Sequence, residues 1–200
     1  MATPRRPSLS DPPGTLALTF ANTRPGSPAA GPDPLATPSD TVVWLTAHVL
    51  TDSALSCPRP QWTPPEARAL QGEALRLRDA VHALFAAVAI QRVALPSALD
   101  DINRVLSAAT WSRCMAVEGQ TLRLQEGTRT EGPLGALAPV AWAAAEMATT
   151  AKPERLRRCA AKACSRWFLD TSKGGRRKWC SMATCGNRAK ASRWRSRDTG

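Results

Sequence analysis

The chain has 200 residues, 43% of them hydrophobic and 22% charged, a balance that suits a folded protein and argues against wholesale disorder. No stretch approaches the roughly 20 apolar residues of a membrane-spanning helix, and Met1 to Pro13 holds no apolar signal core. The formal net charge of +11 is concentrated: from Lys152 to Gly200 fifteen Lys and Arg meet three acidic residues, a balance of +12, while the first 151 residues balance at −1. The expectation is a cytoplasmic protein without a membrane partner, in which a near-neutral domain is followed by a polycation.

In chain order, residues 1 to 13 carry four prolines and two arginines and are expected to form a disordered tail. From Leu16 the pattern alternates, with Leu16, Leu18 and Phe20 against Ala17, Thr19 and Ala21, which predicts a half-buried strand. Five prolines and two glycines between Arg24 and Pro38 predict an exposed loop. Thr37-Pro-Ser-Asp40 has the form of a helix start, and Val43, Thr46, Ala47 and Leu50 supply a stripe for a short helix. Thr63-Pro-Pro-Glu66 is a clearer capping sequence, and Leu70, Ala74, Leu77, Val81, Leu84 and Val88 follow it at helical spacing.

Ser97 is expected to cap a further helix bearing Leu99, Ile102, Val105, Leu106 and Ala109. Leu122 and Leu124 alternate with polar residues as a second strand would, and pairing it with the strand at residue 16 gives a minimal sheet. The Ala-rich run from Leu137 to Thr150 reads as a helix that begins near Pro139, where proline fits a first turn. The fold class is therefore α+β. A mostly helical domain with a minimal β-sheet spans residues 14–151, and a second unit spans residues 152–200.

That second unit carries the chemistry. Cys159 and Cys164 are separated by four residues, as are Cys180 and Cys185, with fifteen residues between the pairs. Four thiolates are the ligand set of a closed, tetrahedral structural zinc site. Four buried thiols or two disulfides are the alternative, and the glycine-containing basic hairpin between the pairs favours Zn²⁺ as the cofactor. Trp167 to Asp170 is expected as one strand, residues 171–175 as a turn whose glycines can take positive φ, and Arg176 to Trp179 as the returning strand. Ser181 then starts a basic helix, giving a treble-clef-like β-hairpin and helix. Cys57 and Cys114 lack such partners and read as ordinary half-buried cysteines, and His48 and His82 as structural.

The run from Arg158 to Lys190 resembles the CGNR zinc finger, whose signature stands here as Cys185-Gly186-Asn187-Arg188. Upstream, Leu16 to Thr23 and the helix start at Thr37 resemble the ABATE domain that precedes this finger in a bacterial family described as stress-induced transcription regulators. The resemblance implies a DNA-binding, stress-linked regulator.

The charge pattern agrees with that implication. Arg188, Ser192 and Arg195 share one side of the terminal helix, Lys190, Arg193, Trp194 and Arg197 cover the neighbouring sides, and Arg176, Arg177 and Lys178 add an edge. Arg176, Arg177, Lys178, Arg193 and Arg197 suit phosphate contacts, and Asn187 and Arg188, close to the metal-fixed Cys185, are candidate readers of bases. Trp167 and Trp179 are expected to pack rather than stack on bases. The first domain is expected to sense a signal or to form a homodimer. No nucleotide-binding loop, catalytic pair or second metal cluster supports an enzyme. The rival reading is a protein-interaction module that binds an acidic partner.

Overall fold

The computed structural model describes residues 15–26, 31–49, 61–118, 120–129 and 132–195. The tail at 1–13, Cys57 and Arg197 lie outside these residues.

The chain opens with helix α1, Thr15–Ala21, where alternation pointed to a strand. Seven residues are too few to separate the two periods. The buried set is Ala17, Phe20 and Ala21, at the i, i+3, i+4 spacing of a helix, with Leu16 and Leu18 half-buried beside them. Helix α2, Pro38–His48, is capped as expected: Thr37 Oγ1 accepts from Asp40 N at 3.1 Å. Its inner face is Thr41, Trp44 and Leu45 rather than the expected stripe, and Val43 is 67% exposed. Thr41 can be buried because its hydroxyl donates to Thr37 O at 3.0 Å, and the indole of Trp44 covers Phe20 at 5.3 Å between ring centroids.

Helix α3, Pro64–Ala89, is the axis of the domain. Glu66 Oε2 reaches back to accept from the Thr63 amide at 2.8 Å and its hydroxyl at 2.6 Å, so the expected capping box is present. The expected stripe is buried from Leu70 to Leu84, Phe85 joins it, and Val88 packs half-buried at its edge. Helix α4, Pro96–Ser107, packs on α3 through Ala98, Ile102 and Val105, fastened by a 2.6 Å ion pair from Arg104 to Glu73. Leu95 rather than Ser97 is its cap residue, because Pro96 occupies the first helical position.

Strands β1, Thr110–Glu118, and β2, Thr121–Arg129, form an antiparallel hairpin with Glu118 opposite Thr121. The sheet is thus minimal, as expected, but β2 pairs with β1 and not with the segment at residue 16. Cys114 lies in β1. Helix α5, Gly132–Thr150, begins seven residues before Pro139 and carries it inside. The proline removes one hydrogen bond and crowds one carbonyl, a cost of about 3 kcal/mol. Burying Leu137 and Val140 contributes roughly 1.5–3 kcal/mol each, and Ala136, Ala141, Ala144 and Met147 add to it, so the helix continues. α5 packs against α1, α3 and α4, which closes the core.

A short 3₁₀ turn, Pro153–Arg155, leads into the second unit, where β3, Leu156–Arg158, pairs antiparallel with β4, Trp167–Leu169. The hairpin therefore encloses the first cysteine pair, whereas the sequence suggested pairing residues 167–170 with 176–179. Residues 171–175 do form the expected turn, with Gly175 at φ +59. Leu156 and Trp167 are buried in the core of the helical domain, not in the finger.

The docking of Trp167 is specific. Its ring meets Phe85 edge-on at 5.9 Å, and its Nε1 donates to His82 Nδ1 at 3.1 Å. Because the indole nitrogen can only donate, His82 must be the neutral tautomer with its proton on Nε2, which donates to Ala21 O at 2.7 Å. Asn22 brackets the Trp167 backbone, accepting from its amide at 2.8 Å and donating to its carbonyl at 2.9 Å.

Burial lowers the pKa of His82 below 6.5, chiefly by penalising the charged ring. A histidine depressed in the folded state binds fewer protons there than in the unfolded chain, so stability falls as the pH drops below about 6.5. His82→Gln, whose amide can serve both neighbours, should flatten this pH dependence of urea unfolding between pH 7 and 5.5. Phe85→Ala should destabilise the chain by about 3–5 kcal/mol in the same assay.

Candidate metal centre

Backbone geometry brings the four cysteines together before any metal is considered. β3 and β4 hold the ends of the first knuckle, where Cys159 N donates to Arg166 O and Cys164 N to Ala161 O, both at 2.9 Å. The segment after the Gly175 turn lies beside this knuckle through Ala160 N to Lys178 O at 2.9 Å, and Cys180 N points at Cys159 Sγ at 3.4 Å. Ser181 caps the next turn of the chain, its hydroxyl accepting from Thr184 N at 3.3 Å. This single π turn, Met182–Gly186, carries Cys185 and leads into helix α6, Asn187–Arg195.

The four Sγ atoms lie within 4.8 Å of one another, and Cys164–Cys180 and Cys180–Cys185 are each 3.8 Å apart. A tetrahedron with Zn–S bonds of about 2.3 Å has edges of about 3.8 Å. The thiols thus stand at zinc-site spacing, too far apart for S–S bonds. Cys159, Cys164 and Cys185 are buried and Cys180 half-buried, with Phe168, Ala161 and Trp179 packed around them. All four positions of a tetrahedral shell are taken by the protein, which makes the site structural.

The thiols differ in their readiness to ionise. Burial pushes Cys180 well up, helped by the thiols of Cys159 and Cys185, and burial likewise raises Cys164. Burial also opposes ionisation of Cys159, but the amides of Cys180 and Ala161 outweigh it and bring that thiol below its ordinary value. Loading the site must therefore displace protons, and metal affinity rises with pH.

Asp170 organises the layer behind the sulfurs, although in the sequence it marks no more than the end of a strand. Its side chain is fully buried and accepts from Ser172 Oγ at 2.6 Å, Ser172 N at 3.0 Å, Arg177 N at 2.9 Å and Arg157 NH1 at 3.4 Å. The Ser172 hydroxyl leads these donors in holding its pKa at about 2. The visible signal was its isolation: Asp170 is the lone acid between Glu154 and Asp198 in a segment dense with cations.

Three arginines, the candidate DNA contact Arg177 among them, are committed to this scaffold. Arg155 donates to the Asp170 and Ser172 carbonyls, and Arg157 to Gly175 O. Arg177 lies over the Phe168 ring at 4.9 Å, with Nε donating to Trp179 O and NH2 to Cys180 O. Asn187 Nδ2 donates to Ala183 O at 3.3 Å, so its side chain ties α6 to the π turn. By contrast Arg176, Lys178, Arg188 and Lys190 are exposed, without a side-chain hydrogen bond or ion pair among the described residues. Arg193 and Arg195 lie on α6, and Trp194 between them is 72% exposed, whereas Trp167 is buried and Trp179 half-buried as expected.

Comparison with known families gives two matches. The CGNR zinc finger model covers residues 155–198, and the ABATE model, described as "Putative stress-induced transcription regulator", covers residues 14–151. The chain belongs to the ABATE family. In this ABATE protein the family boundary falls just after α5, and the CGNR match spans all four cysteines. No curated protein matches the sequence.

Metal analysis should return one zinc per chain and essentially none for Cys180→Ser; two zincs per chain would contradict a single tetrahedral shell. Asp170→Asn should retain zinc but bind it about tenfold more weakly, read by competition with a chromogenic chelator at neutral pH. The sign for the carboxylate itself is opposite to that of an acid raised by burial: its contribution is complete above its ordinary value of 3.8 and is lost as pH falls toward about 2.

Proposed function

We propose that the chain is a cytoplasmic, non-enzymatic DNA-binding transcription regulator, in which the zinc finger meets the duplex and the ABATE domain senses a signal or forms a homodimer. The observation that carries this reading is a set of exposed cations, without partners among the described residues, on a metal-fastened support. Arg188 and Lys190 are exposed on α6, Arg176 and Lys178 on the segment after the Gly175 turn, and no acidic residue lies among residues 171–197. Packed like charges of this kind repel one another in water and gain when phosphates replace their counterions. Membership in a family described as transcription regulators supports the same reading. No helix among the described residues is long and apolar enough to cross a membrane.

The candidates divide within this reading. Arg176, Lys178 and Lys190 suit phosphate contacts, while Arg177 serves by holding the second cysteine segment. Asn187 is bonded to its own helix turn, which leaves Arg188 as the better-placed reader of a base edge.

Affinity for duplex DNA, measured over a salt series, should fall steeply, and Lys190→Gln should reduce the log–log slope by about one unit whatever the sequence. Arg188→Ala should cost about 1–3 kcal/mol on a duplex selected from random sequence and less on a scrambled one. Equal losses on both would leave the finger a nonspecific clamp. An acidic protein that binds this surface and is not displaced by duplex DNA would replace the DNA reading.

A further inference from the structure

The finger and the helical domain do not meet flush along the whole of their contact. Beside the buried Trp167 lies an open cleft of about 630 Å³, with Arg24, Pro25 and Gly26 after α1 and one side of α3 on one wall and the first cysteine knuckle on the other. Gly26 lines the cleft, backed so tightly against Ser165 that a Cβ there would overlap the serine hydroxyl.

Charge in the cleft is unbalanced. Arg24, Arg158 and Lys162 line it against a single acid, Asp79, and Asp79 already pairs with Arg24 at 3.1 Å. Arg158 and Lys162, both from the finger, have no side-chain hydrogen bond or ion pair among the described residues. His82, on the opposite wall, is neutral, with both ring nitrogens used by Ala21 and Trp167. Burial is the chief reason its pKa is lowered, and Arg24 and Arg158 press it further down against the opposing pull of the Ala21 carbonyl and Asp79. Ala83, Ala86 and Trp167 supply apolar wall, and Ser165 and Cys164 line the knuckle side.

We propose that this cleft binds a small organic anion. Its carboxylate or phosphate lies between Arg158 and Lys162, and its apolar body rests on Ala83 and Ala86. The volume falls within the roughly 300–1,000 Å³ of small-molecule sites, too small to admit a duplex. A few polar groups over an apolar wall are the usual composition of such sites. Because the two walls belong to different units, an occupant bridges them and favours the docked arrangement by the ordinary linkage of binding to stability. The proposal gives the sensing role inferred above a location and a ligand class, and it rests on that role, not on DNA binding.

The test uses the full, zinc-loaded chain without DNA, at constant ionic strength, with benzoate as the probe and benzyl alcohol and inorganic phosphate as controls. Calorimetry and ligand-observed NMR should show benzoate binding with a Kd on the order of 1 mM, and benzyl alcohol and phosphate each at least tenfold weaker. The double variant Arg158→Gln, Lys162→Gln should weaken benzoate at least tenfold with zinc content unchanged. Ala86→Trp, which fills the wall without altering charge, should abolish binding. No benzoate binding, equal binding of the alcohol, or binding indifferent to both variants overturns the proposal. So does a double variant that loses affinity only for duplex DNA, since the two cations would then belong to the DNA path. Benzoate binding in a protein that fails to bind any duplex would instead refute the DNA reading and leave the cleft standing.

Discussion

Trp167 stands in the finger by sequence and in the helical domain by packing, and the position of the metal centre depends on that double membership. The residue is the first of β4, paired with Arg158 directly before Cys159, so the strand that orients the first cysteine knuckle is the strand whose side chain is buried against Phe85 and His82. Asn22 fixes the same residue's backbone from the end of α1. A side chain of this size brings a large apolar surface and a single donor, and here both are used. The donor explains His82: a neutral imidazole can offer an acceptor to the indole and a donor to a carbonyl at once, which neither a charged ring nor an aliphatic residue can do.

The finger's own electrostatics divide along a line that charge counting does not draw. A run of basic residues reads in sequence as one surface. In three dimensions Arg155, Arg157 and Arg177 point inward, satisfying carbonyls or the Asp170 carboxylate, and Arg177 covers Phe168. Guanidinium groups suit this work because one planar group can serve several acceptors. The buried Asp170 then faces the Ser172 hydroxyl, the amides of Ser172 and Arg177 and the Arg157 guanidinium, and its depressed pKa results from those donors, the hydroxyl first. The outward set includes Arg176, Lys178, Arg188 and Lys190, with Arg158 and Lys162 at the cleft.

The parts of the fold that local rules govern were legible in the sequence. Thr63 and Glu66 announce α3, the heptad-like apolar spacing gives its buried face, and the cysteine spacing gives the metal shell, because each of these depends on residues a few positions apart. Errors arose where tertiary contacts decide. The seven residues of α1 satisfy both periods, and packing against α5 selects the helix. Helix α2 is turned one phase away from its apparent stripe, since burying Trp44 outweighs burying Val43. Strand β1 lacks a clean alternation, and its partner could not be named without it, although Gly119-Gln120 between two strand-length segments was a usable turn signal. In the finger, β4 pairs backward with β3 because Leu156 and Trp167 both seek the core of the helical domain, a demand invisible from within the module. For the same reason Trp167 and His82 could be read as structural while their pairing could not.

Magnitudes then separate the two events that this architecture joins. Metal binding to four thiolates supplies on the order of 10 kcal/mol to a module with almost no core of its own, so the finger's fold is set by zinc. Docking rests on less. Burying Trp167 and Leu156 contributes roughly 1.5–3 kcal/mol each, and the hydrogen bonds from Asn22 and to His82 add about 1 kcal/mol apiece, before the entropy of holding the two units together is subtracted. The contact is therefore the weaker of the two. Protonation of His82 acts at that contact, and so does any ligand that bridges its walls. The zinc site lies beside the contact and not within it: Cys164 lines the cleft, yet the four sulfurs are held by the hairpin, the Gly175 turn and the Ser181 cap, all internal to the finger. A change confined to the interface thus leaves the supports of the four sulfurs in place, and the free energies of metal binding and of docking can be altered separately.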